Sequence, residues 1–183
     1  MDKIYVIKNV LKEKERKKLL EDSIHLLVGT KELREIFKTN SEYPGKQTAP
    51  DLHKRPEFQP LMEKIASQAG AKISLNSGRT HITLEMKAAW VNWTNGTNKD
   101  ICWHNHSRYD YSIVYYLKTF PFFSNGTLFR EPIGFIKAPQ NSMLVLPGHL
   151  DHTAPTSPFR FNRYTVAIDL NIPNNIHGNY FDG

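Results

Sequence analysis

A single cysteine, Cys102, stands in 183 residues, which excludes an intramolecular disulfide framework and the small stapled folds of secreted proteins. Long apolar runs are also missing: nothing approaches the roughly 20 residues that a membrane-spanning helix needs. The opening MDKIYVIKNV runs at once into the charged LKEKERKKLLED, so the expectation is no signal peptide, no membrane and a cytoplasmic protein. Repeats, flexible linkers and low-complexity tracts are absent too, which leaves no boundary at which to divide the chain. The expected organisation is one domain over 1–183, with 1–70 a helical support, 71–172 the core and 173–183 a tail. The net charge of +6 is concentrated near the N-terminus in the manner of a solvated helix face, and it carries no clear nucleic-acid signal.

What is present is a short helical third followed by many short strands. Ile4 to Val10 alternates like an edge strand, and Leu11 to Leu27 places Leu19, Leu20, Ile24 and Leu27 on one side of a helix. A second helix is expected from about Pro56 to Ala69, with Pro56 in its first turn and Pro60 shortening or kinking it. Between them, NSEYPGKQTAPDLHKRP reads as a long loop, and Asn40 to Arg55 is the candidate for a lid. From Ala71 onward the strands read KISL, HITLEMKAAWVNW, SIVYYL, TLFRE, FIKA, SMLVLP and RYTVAIDLNI, punctuated by NSG, TNGTN, SNG and APQN. This pattern predicts a mainly β, α+β fold: a jelly roll, or double-stranded β-helix, with the N-terminal helices packed on one sheet.

The chemistry concentrates in WHNHSRYDYSIVYYL and PGHLDHTAP. His104 and His106 are two apart, so on a strand both imidazoles point to one face. His152 follows the apolar strand Ser142 to Leu146. Arg163 begins the next strand and shares a face with Thr165 and Ala167; an arginine at the head of an otherwise apolar strand needs an anion, because burying an unpaired charge is costly. An ion pair with Asp169 or Glu131 is the ordinary alternative. His25, His53, His81 and His177 read as structural histidines, and His149 competes with His152. Asp151 either orients an imidazole or is solvated. Trp90, Trp93 and Trp103 are core residues first, and Cys102 is an inert apolar one.

Ala89-Trp90-Val91-Asn92, His104-Asn105-His106, Ser112 to Leu117, Phe129 to Pro132, Leu146 to His152 and Arg163 to Thr165 occur in that order. The series resembles the Fe(II)/2-oxoglutarate-dependent oxygenases, a bacterial and phage branch in particular. The resemblance implies a jelly-roll fold and an enzyme that consumes 2-oxoglutarate and O2, releases succinate and CO2, and oxidises an unidentified prime substrate, usually by hydroxylation. It implies Fe(II) on His104, His106 and His152, and 2-oxoglutarate held by Arg163 with Thr165, Tyr116 and Asn92 nearby. One departure stands out: the commonest pattern has a carboxylate where this chain has His106. Asp110 is the alternative to His106 if SRYD folds back. A three-histidine cupin-type dioxygenase without 2-oxoglutarate, a zinc site and a noncatalytic jelly-roll binding module are the competing classes.

Overall fold

The computed structural model describes residues 3–29, 45–78, 82–94, 103–120, 125–155 and 161–173. Strand β1 (Tyr5–Lys8) leads into helix α1 (Glu13–Gly29), whose first turn carries Glu13 and Glu15 where the helix dipole favours anions. Lys12 N–H donates to Glu15 Oε2 at 2.8 Å, closing that end. Arg16 is the one buried cation of α1. It is satisfied on both sides, by a two-point contact to Glu13 at 2.6 and 2.9 Å and by donation to the Leu117 carbonyl at 2.8 Å, which ties the helix to the sheet beneath it.

Helix α2 (Gln59–Ser77) corrects the expectation in two ways. Pro56 lies ahead of the helix and Pro60 sits within its first turn, where a missing N–H costs nothing. The KISL segment, expected as a strand, continues the helix to Ser77, because Ile65, Ala66, Ala69 and Ile73 keep one buried face running at helical spacing. Gly78, at φ 69° in the left-handed region, ends it.

Among the described residues, six antiparallel strands form a major sheet in the order β1-β7-β4-β9-β3-β2, with β2 Gly45–Gln47, β3 Glu85–Thr94, β4 Tyr111–Lys118, β7 Ser142–Pro147 and β9 Arg163–Asn171. A minor sheet has the order β6-β5-β8, from β5 Gly126–Phe129, β6 Phe135–Lys137 and β8 His152–Thr153. The two helices cover the outer face of the major sheet. There Leu19, Met62, Ile65 and Ile73 join Ile113, Tyr115, Val145, Val166 and Ile168 in the main core. The opposite face of the same strands meets the minor sheet through Tyr116, Leu144, Leu146, Phe129 and Ala138. Alternation therefore assigns every second residue of β4, β7 and β9 to the space between the sheets. No described helix is long and apolar enough to cross a membrane.

Residues 40–44 of the expected lid lie outside the described residues. The rest is structure fixed to β3, which corrects the lid reading: β2 pairs with Trp93 and its neighbours, Thr48 exchanges two hydrogen bonds with Val91, and Ala89 N–H donates to Pro50 O at 3.2 Å. Leu52, in a short 3-10 turn, is fully buried. His81, Cys102, His177, residues 121–124 and the tail from 174 onward lie outside the described residues.

Candidate metal and oxoacid site

Three segments converge at one end of the two sheets. His104 and His152 exchange backbone hydrogen bonds of 3.1 and 2.9 Å, so the chain entering β4 is stitched alongside β8 as a further rung of the minor sheet. Two residues on, His106 N–H donates to Gly148 O at 2.6 Å. Glycine is required at 148: a Cβ there would stand 2.1 Å from the Tyr109 carbonyl oxygen and 2.6 Å from that of His106. The LPG turn and the HNH segment can approach this closely only because one of them lacks a side chain.

The result is a triad. One ring nitrogen from each of His104, His106 and His152 lies within 4.8 Å of the other two, and the ring centroids are 5.4, 4.5 and 5.3 Å apart. His152 is 4% exposed. Its Nδ1 lies 2.9 Å from the Leu150 carbonyl, which only accepts, so Nδ1 carries the proton and Nε2 the lone pair. Burial, and after it the neighbouring His104 and His106, push its pKa down to about 4, against the pull of Leu150 and Asp151. The ring is neutral, as a ligand must be.

That shift has a consequence for stability. Between the ordinary value of 6.5 and about 4, an unfolded chain takes up a proton that the folded one refuses. In the metal-free protein this group's contribution is therefore fully present above pH 6.5 and is lost as the pH falls toward 4, by up to about 3 kcal/mol. Urea midpoints across that window measure it; a flat profile would contradict the neutral, buried imidazole.

His106 is held from behind. Its Nδ1 lies 3.0 Å from Asp169 Oδ1 and 3.2 Å from Oδ2, Asp169 is 3% exposed, and Ser112 Oγ donates to the same carboxylate. The indole of Trp90 stacks on the His106 ring at 5.8 Å, so Trp90 walls the site as well as filling the fold. Asp110 is not part of the cluster. Its Oδ2 accepts the Ile172 N–H at 2.7 Å and its own N–H donates to Asn171 at 3.2 Å, so it fastens the end of β9 to the start of β4. Asp151 accepts from Asn105 Nδ2 at 2.8 Å and contacts no imidazole ring by hydrogen bond among the described residues; it braces the HNH segment. His149 is exposed and outside the cluster.

The second group sits further along the same face of β9. Arg163, Thr165, Ala167 and Asp169 share that face by alternation, and Thr165 lies in register with Asn92 on β3 and Tyr116 on β4. Asn92 Nδ2 approaches Thr165 Oγ1 at 3.5 Å, while its carbonyl oxygen accepts from Gln47 at 2.8 Å and Trp90 Nε1 at 2.9 Å. Tyr116 is fully buried, its hydroxyl 2.6 Å from Thr127 Oγ1. Burial raises its pKa, outweighing the Arg163 charge and the Thr127 contact, so the phenol keeps its proton. The Arg163 guanidinium lies 5.4 Å from the Tyr116 ring centroid and donates to Gly126 O at 3.3 Å. Among the described residues its buried Nε has no hydrogen-bond partner and no carboxylate pairs with the guanidinium; Asp169, the expected alternative partner, faces His106 instead. Gln47, Thr127, Ser112 and the imidazole-facing role of Asp169 are the contributions the sequence reading did not assign.

The donor set fits the groups it would hold. Three imidazoles converging from the HNH segment and β8 suit a divalent first-row metal such as iron. A buried guanidinium edge with an unsatisfied N–H, flanked by two hydroxyls, suits a carboxylate.

No family model matches the chain, and no curated protein matches it. Solved structures share its architecture. The non-heme alpha ketoglutarate dependent epimerase SnoN from nogalamycin biosynthesis aligns over 93% of this chain and 77% of its own at 12% identity, TM-score 0.68. The viral collagen prolyl hydroxylase vCPH of Paramecium Bursaria Chlorella virus-1, in its 2OG complex, aligns over 91% and 94% at 15% identity, TM-score 0.62. HygX from Streptomyces hygroscopicus, with nickel and 2-oxoglutarate bound, aligns over 93% and 83% at 10% identity, TM-score 0.62. The chain therefore has the jelly-roll fold shared by these 2-oxoglutarate-dependent and 2-oxoglutarate-binding proteins.

Proposed function

We propose that this chain is an Fe(II)- and 2-oxoglutarate-dependent dioxygenase, working as a single cytoplasmic domain. The observation that carries the reading is the pairing of two features on one face of the fold: three imidazole nitrogens within 4.8 Å of one another, and a half-buried arginine whose Nε is itself buried with no hydrogen-bond partner among the described residues. A metal site alone would not need the arginine, which is why the cupin-type alternative without 2-oxoglutarate is the weaker reading. His104, His106 and His152 hold the iron on one side and leave its other positions open. Arg163, with the hydroxyls of Thr165 and Tyr116, takes the far carboxylate of the oxoacid, and Asn92 keeps Thr165 turned toward it. When bound, the iron and 2-oxoglutarate supply the oxidising chemistry, in which O2 converts the oxoacid to succinate and CO2.

The remaining work belongs to the chain. Leu144, Leu146 and Phe129 are buried between the sheets and keep water from the oxoacid side, while Trp90 closes the flank of His106. Hydroxylation of the prime substrate is the outcome we propose. Because an epimerase stands among the similar structures, that outcome rests on where the substrate places its C–H bond and not on the ligand set.

Anaerobic addition of Fe(II) and then 2-oxoglutarate should produce the weak visible charge-transfer band of a chelated 2-oxoacid, and admitting O2 should yield succinate. Iron binding with no band and no succinate would overturn the oxoacid reading and leave a three-histidine metal site.

A further inference from the structure

Replacing a carboxylate ligand by an imidazole leaves a site one negative charge short. In this chain a carboxylate stands immediately behind that imidazole. Asp169 is 3% exposed, within 3.0 Å of His106 Nδ1, and fixed in turn by the Ser112 hydroxyl, which lies opposite it in the β4–β9 register. A carboxylate only accepts, so it holds the proton on Nδ1 and leaves the Nε2 lone pair for a metal. Trp90, stacked at 5.8 Å with an interplanar angle of 26°, fixes the ring's remaining rotation.

We propose that Asp169 is a positioning residue for the metal: together with Ser112 it sets the tautomer and angle of His106 and returns, one hydrogen bond further out, the negative charge that a directly bound carboxylate would have supplied. The metal is then held by two imidazoles and a histidine–aspartate pair. This rests on the triad being a metal site, and it is independent of 2-oxoglutarate.

The test uses cobalt(II) alone, added to the full-length metal-free protein without oxoacid. Asp169→Asn preserves size and removes the charge, and Ser112→Ala leaves the carboxylate but frees its orientation. Asp169→Asn should weaken cobalt binding about 10- to 100-fold and shift the visible absorption bands of the bound ion; Ser112→Ala should act in the same direction by a smaller factor. A merely structural Asp169 would lower the melting temperature of the metal-free protein while leaving the cobalt affinity and bands unmoved, and that result would overturn the proposal. Should Asp169→Asn not fold, the wild-type protein loaded with zinc(II) decides. Nitrogen-15 spectra of the His106 ring should show a protonated Nδ1 and a metal-bound Nε2, and the reverse assignment would overturn the proposal. Failure of the wild-type protein to bind cobalt would bring down the metal reading and this inference with it, whereas cobalt binding with an unchanged Asp169→Asn variant would bring down this inference only.

Discussion

Arg163→Ala should lower the affinity for 2-oxoglutarate by about a hundredfold or more while leaving Fe(II) binding in the absence of the oxoacid within a few-fold of wild type. The magnitude follows from breaking a buried, charge-assisted pair, which costs roughly 2–5 kcal/mol, where each 1.4 kcal/mol is about a factor of ten. The direction follows from what Arg163 lacks. Among the described residues its Nε is buried without a hydrogen-bond partner, and its guanidinium meets the Gly126 carbonyl and the Tyr116 ring but no carboxylate, so before ligand binds no described anion balances the charge. Removing it should therefore leave the melting temperature of the ligand-free protein unchanged or slightly raised, which is unusual for truncating a half-buried side chain. Arg163→Lys keeps the charge but loses the planar fork, and should recover only part of the affinity. Titration of the anaerobic Fe(II) protein with 2-oxoglutarate, read at the charge-transfer band, measures the oxoacid affinity of wild type and both variants, while Fe(II) titration without oxoacid and melting curves of the ligand-free proteins check the rest. An Arg163→Ala protein that binds the oxoacid as tightly as wild type would remove Arg163 from the site.

The parts of this site that were legible in the sequence are those set by strand alternation and by order along the chain. His104 and His106 share a side because they are two apart, and Arg163 and Thr165 share one for the same reason. Placing Asn92 and Tyr116 beside Thr165 needed only the guess that β3, β4 and β9 are neighbours, and the register aligns all three. Asp169 was within reach of the same rule, since two further steps along β9 from Thr165 arrive at it. What hid its role is that its partner lies in a different segment, brought close by a turn that depends on the missing side chain of Gly148. Asp110 misled for the converse reason: proximity in sequence to His106 suggested a ligand, whereas the backbone N–H of Ile172 claims its carboxylate.

The fold shows a similar division. KISL looked like a strand because Ile and Leu alternate with polar residues over four positions, too short a window to separate a period of 2 from one of 3.6. Extending the window back to Ile65 would have shown that Ile73 completes the buried face of α2. Strand β2 could not be read at all: Gly45–Gln47 pairs through backbone groups on the exposed edge of β3 and has no apolar pattern to announce it. Gly45 is there for a close approach, since a Cβ would stand 1.9 Å from the Trp93 carbonyl oxygen. The described part of the segment expected as a lid, from Gly45 onward, instead holds Gln47 against Asn92 by a hydrogen bond.

His152→Ala should abolish tight Fe(II) binding, by about two to three orders of magnitude, and with it the charge-transfer band and succinate formation. Structural metal sites with four ligands bind with roughly 10–16 kcal/mol, so each ligand carries about 2.5–4 kcal/mol. His152 is the member of the triad most committed to this role. It is buried, its Nδ1–H is engaged by Leu150, and its pKa is pushed down to about 4 by burial, so near neutral pH its Nε2 lone pair is free for a metal. The backbone rungs joining it to His104 do not depend on the side chain, so the alanine variant should keep the fold. Two comparisons separate loss of a ligand from general damage. In the metal-free protein, His152→Ala should flatten the loss of stability between pH 6.5 and about 4, because the group that refuses the proton is gone. His149→Ala, three residues away and exposed, should bind iron as wild type does. If His149→Ala loses the metal and His152→Ala retains it, the turn presents the other imidazole and the triad is wrongly drawn; if both retain it, the three-histidine site itself falls.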